Sequence, residues 1–440
     1  MLGNPPLKWA FALALAGSAS ACFLGEISLE GLPCPCADGY VCDATENVCK
    51  AAVQNTTSVT SAGGGSAGGG SAGGGAVGGG GTGGGCGNGG SPPVAKPLVA
   101  VQNATSLAVY VDGMFRIEAD AGHNWMLGRW FDLATDPLQD LSGHDVSDVF
   151  VDRWSHDSTD WNNSGMGDLV GVAVADETPA RFTVTTTIDY QLPGLRLTQT
   201  STFYASGKVA MSSVFSNTTG STLTITDSEY HYTSVNESLD WAATSVDFDH
   251  SVGFSRLDGP GASTAQVVNF EDNLLESDAA NTNRYWHETS FNLAANGGAV
   301  QQDGVLFVAP SSIPSSIMAA RSEDARAPGL VLGAGAALVG TGYSESEATY
   351  TLSATSPGSV TFGVDGTHAR YAPTFVISDW TAPAWHIERG GEILVSSDAP
   401  LGPASVAQLN TSTGKLVFVY EGSIDPGASD CERSFTLVAD

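Results

Sequence analysis

Positive charge is what this sequence most lacks. Seventeen Lys and Arg stand against 47 Asp and Glu in 440 residues, for a formal net charge of -30. Proteins that grip a phosphate backbone do so with a basic patch or stripe, and none is present, so nucleic acid is excluded as a partner. Long apolar runs are missing as well. Residues 9–16 are too few to span a bilayer, and residues 327–340 are both short and rich in glycine. Sustained helical periodicity is absent, which removes the helical-bundle classes. Familiar catalytic motifs are also lacking: there is no Gly-Lys-Ser/Thr phosphate loop and no His-Glu-x-x-His, and outside the glycine run there is no Gly-x-Ser-x-Gly elbow.

Glycine, by contrast, is abundant, with 54 in the chain, and residues 61–90 are mostly glycine broken by Ser and Ala. Glycine loses the most backbone entropy on ordering, and these side chains bury almost nothing in return. The run is expected to be a tether, with the linker as a whole covering residues 51–96. As a flexible coil it would span roughly 40 Å root-mean-square. Residues 22–50 on one side form a small cysteine-rich module, and residues 97–440 on the other are long enough for a large core.

The start of the chain points to a compartment. Lys8 precedes the apolar residues 9–16, then Gly17-Ser18-Ala19-Ser20-Ala21 and Cys22. This is the order of an export signal over residues 1–21. Ala19-Ser20-Ala21-Cys22 also resembles a bacterial lipobox, with Ala19 where Leu is usual. The resemblance implies cleavage before Cys22, lipidation of its thiol and anchoring in the cell envelope, facing away from the cytoplasm. Plain cleavage and secretion is the alternative. Cysteine parity bears on the choice, because the chain has seven. Giving Cys22 to a lipid leaves an even set able to pair completely.

Within the small module, Cys34, Cys36, Cys42 and Cys49 are expected to form disulfides among themselves, since so short a segment cannot hold a core. Four cysteines allow three connectivities, and Cys34 and Cys36 are too close across one proline to favour each other. Four thiolates would also suit zinc, but no Cys-x-x-Cys occurs and an exported chain meets an oxidising medium. That leaves Cys86, inside the tether, and Cys431 to pair and close the large domain's ends together.

The large domain reads as β throughout. Phe182, Val184, Thr186, Ile188 and Tyr190 alternate with mostly Thr, and Gln-Leu-Pro-Gly at 191–194 makes a turn. Further strands are expected at 196–204, 208–215, 223–233, 284–293, 305–309, 348–353, 360–364, 374–378, 392–396, 415–420 and 434–438. The fold class is all-β, as a large two-sheet β-sandwich. The order of residues 107–117, Trp130-Phe131-Asp132-Leu133, Leu141-Ser142-Gly143, the 202–209 hairpin and Asn217-Thr218-Thr219-Gly220 resembles the galactose-mutarotase-like β-supersandwich of carbohydrate-active proteins. That resemblance implies a carbohydrate partner and carries no catalytic motif with it.

Three constellations are candidates for chemistry. Under two-residue alternation, Leu223 and Ile225 share a face with Asp227, Glu229 and His231, so an apolar face turns ionisable along one strand. Carboxylates beside a His suit general acid–base work or a grip on sugar hydroxyls; a strand end emerging into solvent would look the same. In Tyr285-Trp286-His287-Glu288, Tyr285 and His287 would move a proton beside a uronate, while Trp286 stacks on a sugar ring; core packing is the plainer use of such residues. Asp132, Asp136, Asp140, Asp145, Asp148, Asp152, Asp157 and Asp160, with His144 and His156 among them, are oxygen-rich enough for calcium, though no EF-hand spacing is present. A solvated acidic loop explains them equally, and no cofactor is required. Trp125, Trp130, Trp154 and Trp161 run through the same stretch and would serve as a sugar platform or as core, with Trp154 and Trp161 expected beside the Asp227–His231 face.

These features together predict an envelope-anchored lipoprotein whose β-sandwich binds carbohydrate. The alternatives are a polysaccharide lyase or glycosidase on the same sandwich, and a structural surface protein without a ligand.

Overall fold

The computed structural model describes residues 40–43, 48–51 and 94–440, the last range without 135, 139, 142–149, 156–160, 164–166, 191–193, 235–241, 248–253, 259–262, 270–273, 278–283, 311–328 and 368. The chain divides into two units, Met1–Gly79 and Gly80–Asp440. Cys22, Cys34, Cys36 and Cys86, the export segment and the glycine run lie outside the described residues, as do Asp145, Asp148, Asp157, Asp160, His144 and His156. In the first unit, strands Tyr40–Asp43 and Val48–Ala51 pair antiparallel, with Cys42 opposite Cys49.

The second unit is nearly all β, as the alternation requires. Its largest sheet has eight strands, among them, side by side in this order, Ala299–Pro310, Lys208–Asn217, Leu195–Tyr204 and Arg181–Asp189. The last two pair antiparallel, and the Tyr190 amide donates to the Leu195 carbonyl at 3.0 Å; of the expected Gln-Leu-Pro-Gly turn, 191–193 lie outside the described residues. Gly194 has φ +96, and a Cβ there would sit 2.1 Å from Thr219 Cγ2, so glycine is required.

One face of this sheet is apolar. At one end Ile188, Leu195, Leu197 and Phe215 pack with Ile225 and Leu293 of a five-stranded sheet. At the other, Phe182, Val184, Phe203 and Val209 share a cluster with Leu107, Val109, Phe115 and Ile117 of a four-stranded sheet, residues 98–132. Asn217 ties the first contact together. Its buried side chain donates to the carbonyls of Ser221 (2.7 Å), Leu293 (3.1 Å) and Ala294 (3.2 Å), and its Oδ1 accepts from the Thr219 amide at 2.9 Å.

Where a single two-sheet sandwich was expected, residues 330–439 build a second pair of sheets around a cluster of their own. Phe362 and Phe435 from a five-stranded sheet meet Phe375 and Phe418 from a six-stranded one, with ring centroids 5.0 to 6.3 Å apart across the layers. These rings bury enough area to hold two short-stranded sheets together, so the late strands do not join the large one. The only α-helix among the described residues is Asp430–Arg433. It carries Cys431, which is disulfide-bonded.

Candidate functional site

Tertiary pairing collects the singled-out residues into one sheet. The five-stranded sheet is ordered Leu274–Ser277, Arg284–Leu293, Leu223–Ser234, Phe150–Ser155 and Trp161–Asn163. Asp227, Glu229 and His231 are therefore on its central strand, Tyr285, Trp286 and His287 on one neighbour, and Trp154 on the other. Register makes the arrangement specific. Glu229 is opposite Glu288 on one side and Arg153 on the other, and Tyr230 is opposite His287. Ser228 is opposite Trp154, Asp227 opposite Ser155, and Ser155 opposite Trp161. Tyr285 pairs with Thr233, and Trp286 with Glu276 on the outer strand.

The central strand is irregular against Arg284–Leu293 but runs in unbroken register with Phe150–Ser155 from Asp227 to Glu229. The strand's register with Arg284–Leu293 shifts between Ile225 and Ser228 and again between Tyr230 and Thr233. At each shift three steps on this strand answer two on its neighbour, the signature of an inserted residue. Ile225, Ser228 and Tyr230 then align with Phe291, Thr289 and His287, every second residue of the neighbouring strand. Glu229 aligns with Glu288 in the alternate set, and His231 lies inside the second irregularity. Alternation counted from Leu223 is therefore reset before Ser228, while Asp227 and Glu229 stay in one set.

Two of the tryptophans considered for a platform are core residues. Trp130 is 1% exposed and Trp125 9%, both in the cluster beneath the four-stranded sheet. Three members of the acidic stretch have local roles: Asp132 accepts from the Ala134 amide and Asp136 from the Leu138 amide, and Asp140 lies 3.5 Å from Arg129; Asp152 lies on strand Phe150–Ser155. Among the described residues no group of three or more His, Cys, Asp or Glu is placed to hold a metal ion.

A second constellation lies on the polar face of the eight-stranded sheet. Thr183, Thr185 and Thr187 face Thr202, Thr200 and Thr198, with hydroxyl oxygens 3.2, 3.0 and 3.4 Å apart. The middle row continues through Ser212 to Asp303. Asp303 is buried, and Gln301 Nε2 donates to both its oxygens at 3.1 and 2.9 Å. Burial pushes its carboxyl up, against the hydrogen bonds from Ser212 and Gln301 that favour the charged form. Glu345 is raised as well, by desolvation first and then by the negative charge of Asp303.

Glu345 opens a turn that the sheet clamps in place. Arg181 reaches Glu347 at 3.2 Å, Tyr204 donates to the Glu347 carbonyl at 2.6 Å, and buried Lys208 donates to the Ala348 carbonyl at 2.6 Å. Two carboxyls whose proton affinity is raised, beside a ladder of hydroxyls, are suited to hydrogen-bonding polyols and to general-acid work. Sequence reasoning missed this pair. Gln301 and Asp303 alternate visibly within their strand, but nothing local connects Asp303 to Glu345.

No protein-family model matches the chain, and no curated protein matches it. Several solved structures share part of its shape. Galactose 1-epimerase from Lactobacillus acidophilus is 8% identical, with 50% of this chain and 99% of that chain covered and a TM-score of 0.32. For the α-galactosidase AgaA from Geobacillus stearothermophilus the values are 13%, 52%, 43% and 0.30, and for YidC from Thermotoga maritima 12%, 49%, 51% and 0.28. Likenesses of this extent carry no argument about what the chain does.

Proposed function

We propose that this chain is an envelope-anchored extracytoplasmic lipoprotein whose β-sandwich domain binds carbohydrate. The observation that carries the proposal is the register of the five-stranded sheet, which puts Trp154, Trp161 and Trp286 on strands beside or near those of Glu229, His231, Tyr285 and His287. Indole surfaces stack on sugar rings while carboxylates and imidazole meet hydroxyls, the mixture of apolar and polar groups that small-molecule sites use. In this reading the Asp227–His231 segment and Trp161, in register with Asp227 through Ser155, border one groove, while Trp154, opposite Ser228, falls in the alternate set to Glu229; Cys22 carries the lipid that holds the domain at the membrane.

The test is retention of the full chain on a polysaccharide panel, with wild type, Trp161→Ala and Glu229→Gln compared. Binding is expected to weaken in both variants. Retention of Glu229→Gln equal to wild type on every glycan that binds would defeat the assignment.

A second reading, a glycosidase or polysaccharide lyase on the same scaffold, is favoured by Asp303 and Glu345, two nearby carboxyls that both hold their protons above the ordinary range. Asp303 would then be the general acid, and Asp303→Asn would abolish bond cleavage while leaving retention intact. Absence of cleavage by wild type on every retained polysaccharide would remove this reading and leave the binding one.

A further inference from the structure

The outer face of the carboxyl-terminal pair of sheets carries a constellation outside the sites described above. In its five-stranded sheet, Ser434–Ala439, Trp385–Arg389 and Glu392–Ser396 are consecutive neighbours. Leu437, Ile387 and Val395 turn inward, into the cluster that holds the four phenylalanines. Alternation therefore turns Val438, His386 and Ser396 outward, and Val438 and Ser396 are the residues opposite His386 on its two sides. Asp440 lies two steps beyond Val438 and extends the ladder, its amide donating to the Ala384 carbonyl at 3.1 Å.

Asp440, His386 and Ser396 thus come from three adjacent lines of chain, with the imidazole in the middle. His386 Nδ1 lies 2.6 Å from Asp440 Oδ1. A carboxylate can only accept, so Nδ1 carries the proton of the neutral ring and Nε2 keeps its lone pair. With Nδ1 turned to the Asp440 side, the opposite edge of the ring, which ends in Nε2, is turned to the strand of Ser396. The ring is reachable, its side chain 18% exposed.

Ser396 is held close to it. The Ser397 amide donates to the Trp385 carbonyl at 2.8 Å, which makes His386 and Ser396 a non-hydrogen-bonded pair, the kind whose side chains approach most nearly. Ser396 Oγ accepts from the Ala399 amide at 3.1 Å, leaving its own proton to be donated. A bulge completes the face. Register shifts between Ile387 and Glu388, so Leu394 and Val395 are buried in succession and Ile393 comes opposite Glu388. Ile393 therefore shares the outer face with Ser396, and it is 56% exposed.

We propose that Ser396, His386 and Asp440 form a nucleophilic triad that hydrolyses small esters, with the ester's short apolar group lying on Ile393. Ser396 Oγ bonds to the ester carbonyl carbon as its proton passes to His386 Nε2, and the alcohol departs with that proton. Water then adds to the acyl carbon and gives a proton to His386. The carboxylic acid leaves, and the proton returns to Ser396 Oγ. Asp440 is a positioning residue that keeps the ring in its accepting tautomer. The site shares no residue with the carbohydrate reading and is independent of it.

Hydrolysis of p-nitrophenyl acetate and p-nitrophenyl butyrate by the full chain tests the proposal, together with fluorophosphonate labelling and peptide mapping of the unaltered protein. At least one ester is expected to be cleaved about a hundredfold or more faster by wild type than by Ser396→Ala or His386→Gln. The label is expected on Ser396. Asp440→Asn should lower kcat about tenfold or more with KM unchanged, and Asp440→Glu should recover part of the loss; a residue that merely braced the sheet would not produce that split. The proposal is overturned if wild type cleaves neither ester faster than Ser396→Ala, if the label falls elsewhere or on nothing, or if Asp440→Asn keeps the wild-type kcat.

Discussion

Replacing Glu421 by Gln should make the protein more stable in alkali and leave it unchanged in acid. The carboxyl is lifted from its ordinary 4.5 to about 7 by desolvation. Because the folded value lies above the unfolded one, the native state holds the proton more tightly. Below pH 4.5 both states are protonated and the group costs nothing. Between 4.5 and 7 the unfolded chain ionises first, so stability falls as pH rises, and above 7 the loss is complete. A lift of that size corresponds to about 3 kcal/mol at about 1.4 kcal/mol per pH unit, and residual solvent access brings it nearer 2. Gln keeps the shape and removes the ionisation. Urea unfolding of wild type and Glu421→Gln at pH 4.5, 6, 7 and 8.5 measures the effect. The variant's stability relative to wild type should climb by about 2–3 kcal/mol from the lowest pH to the highest. Whatever fixed offset the amide introduces cancels in that comparison. A difference that stays level across the four pH values would refute the argument, because it would mean that Glu421 ionises alike in the folded and unfolded chains.

Three further outcomes are expected. Asn217→Ala strips the bonds to Ser221, Leu293, Ala294 and Thr219, leaving buried carbonyls bare, and should destabilise by about 3 kcal/mol in the same unfolding assay. Cys22→Ser should block processing or release the protein from detergent-soluble membrane fractions; equal solubility of wild type and variant, both cleaved after Ala21, would contradict a lipid anchor. Non-reducing peptide mapping should join Cys431 to Cys86, a bond able to contribute a few kcal/mol, and a peptide joining either of them to the small module would show the pairing wrong.

The strands themselves were legible in the residues. Alternation alone places strands at 284–293, 374–378, 392–396 and 415–420, and the structure has Arg284–Leu293, Thr374–Ser378, Glu392–Ser396 and Lys415–Tyr420. A strand announces itself by a period of two over a handful of residues, and that information is entirely local. The scarcity of positive charge and the glycine run are likewise properties of composition.

Which strands become neighbours depends on contacts between distant residues, and there the tertiary structure decided. It put Glu229 between Glu288 and Arg153, and its two inserted residues broke an alternation that looked unbroken in the sequence. It gave residues 330–439 a core of their own because four phenylalanines from two sheets could close on one another. It made the proton affinities of Asp303 and Glu421 unusual through burial, Asp303 beside a turn some forty positions away and Glu421 beside a hairpin about three hundred positions away. A carboxyl's affinity for its proton is set by the water and charge around it, and in a folded chain those surroundings are supplied by residues remote in sequence.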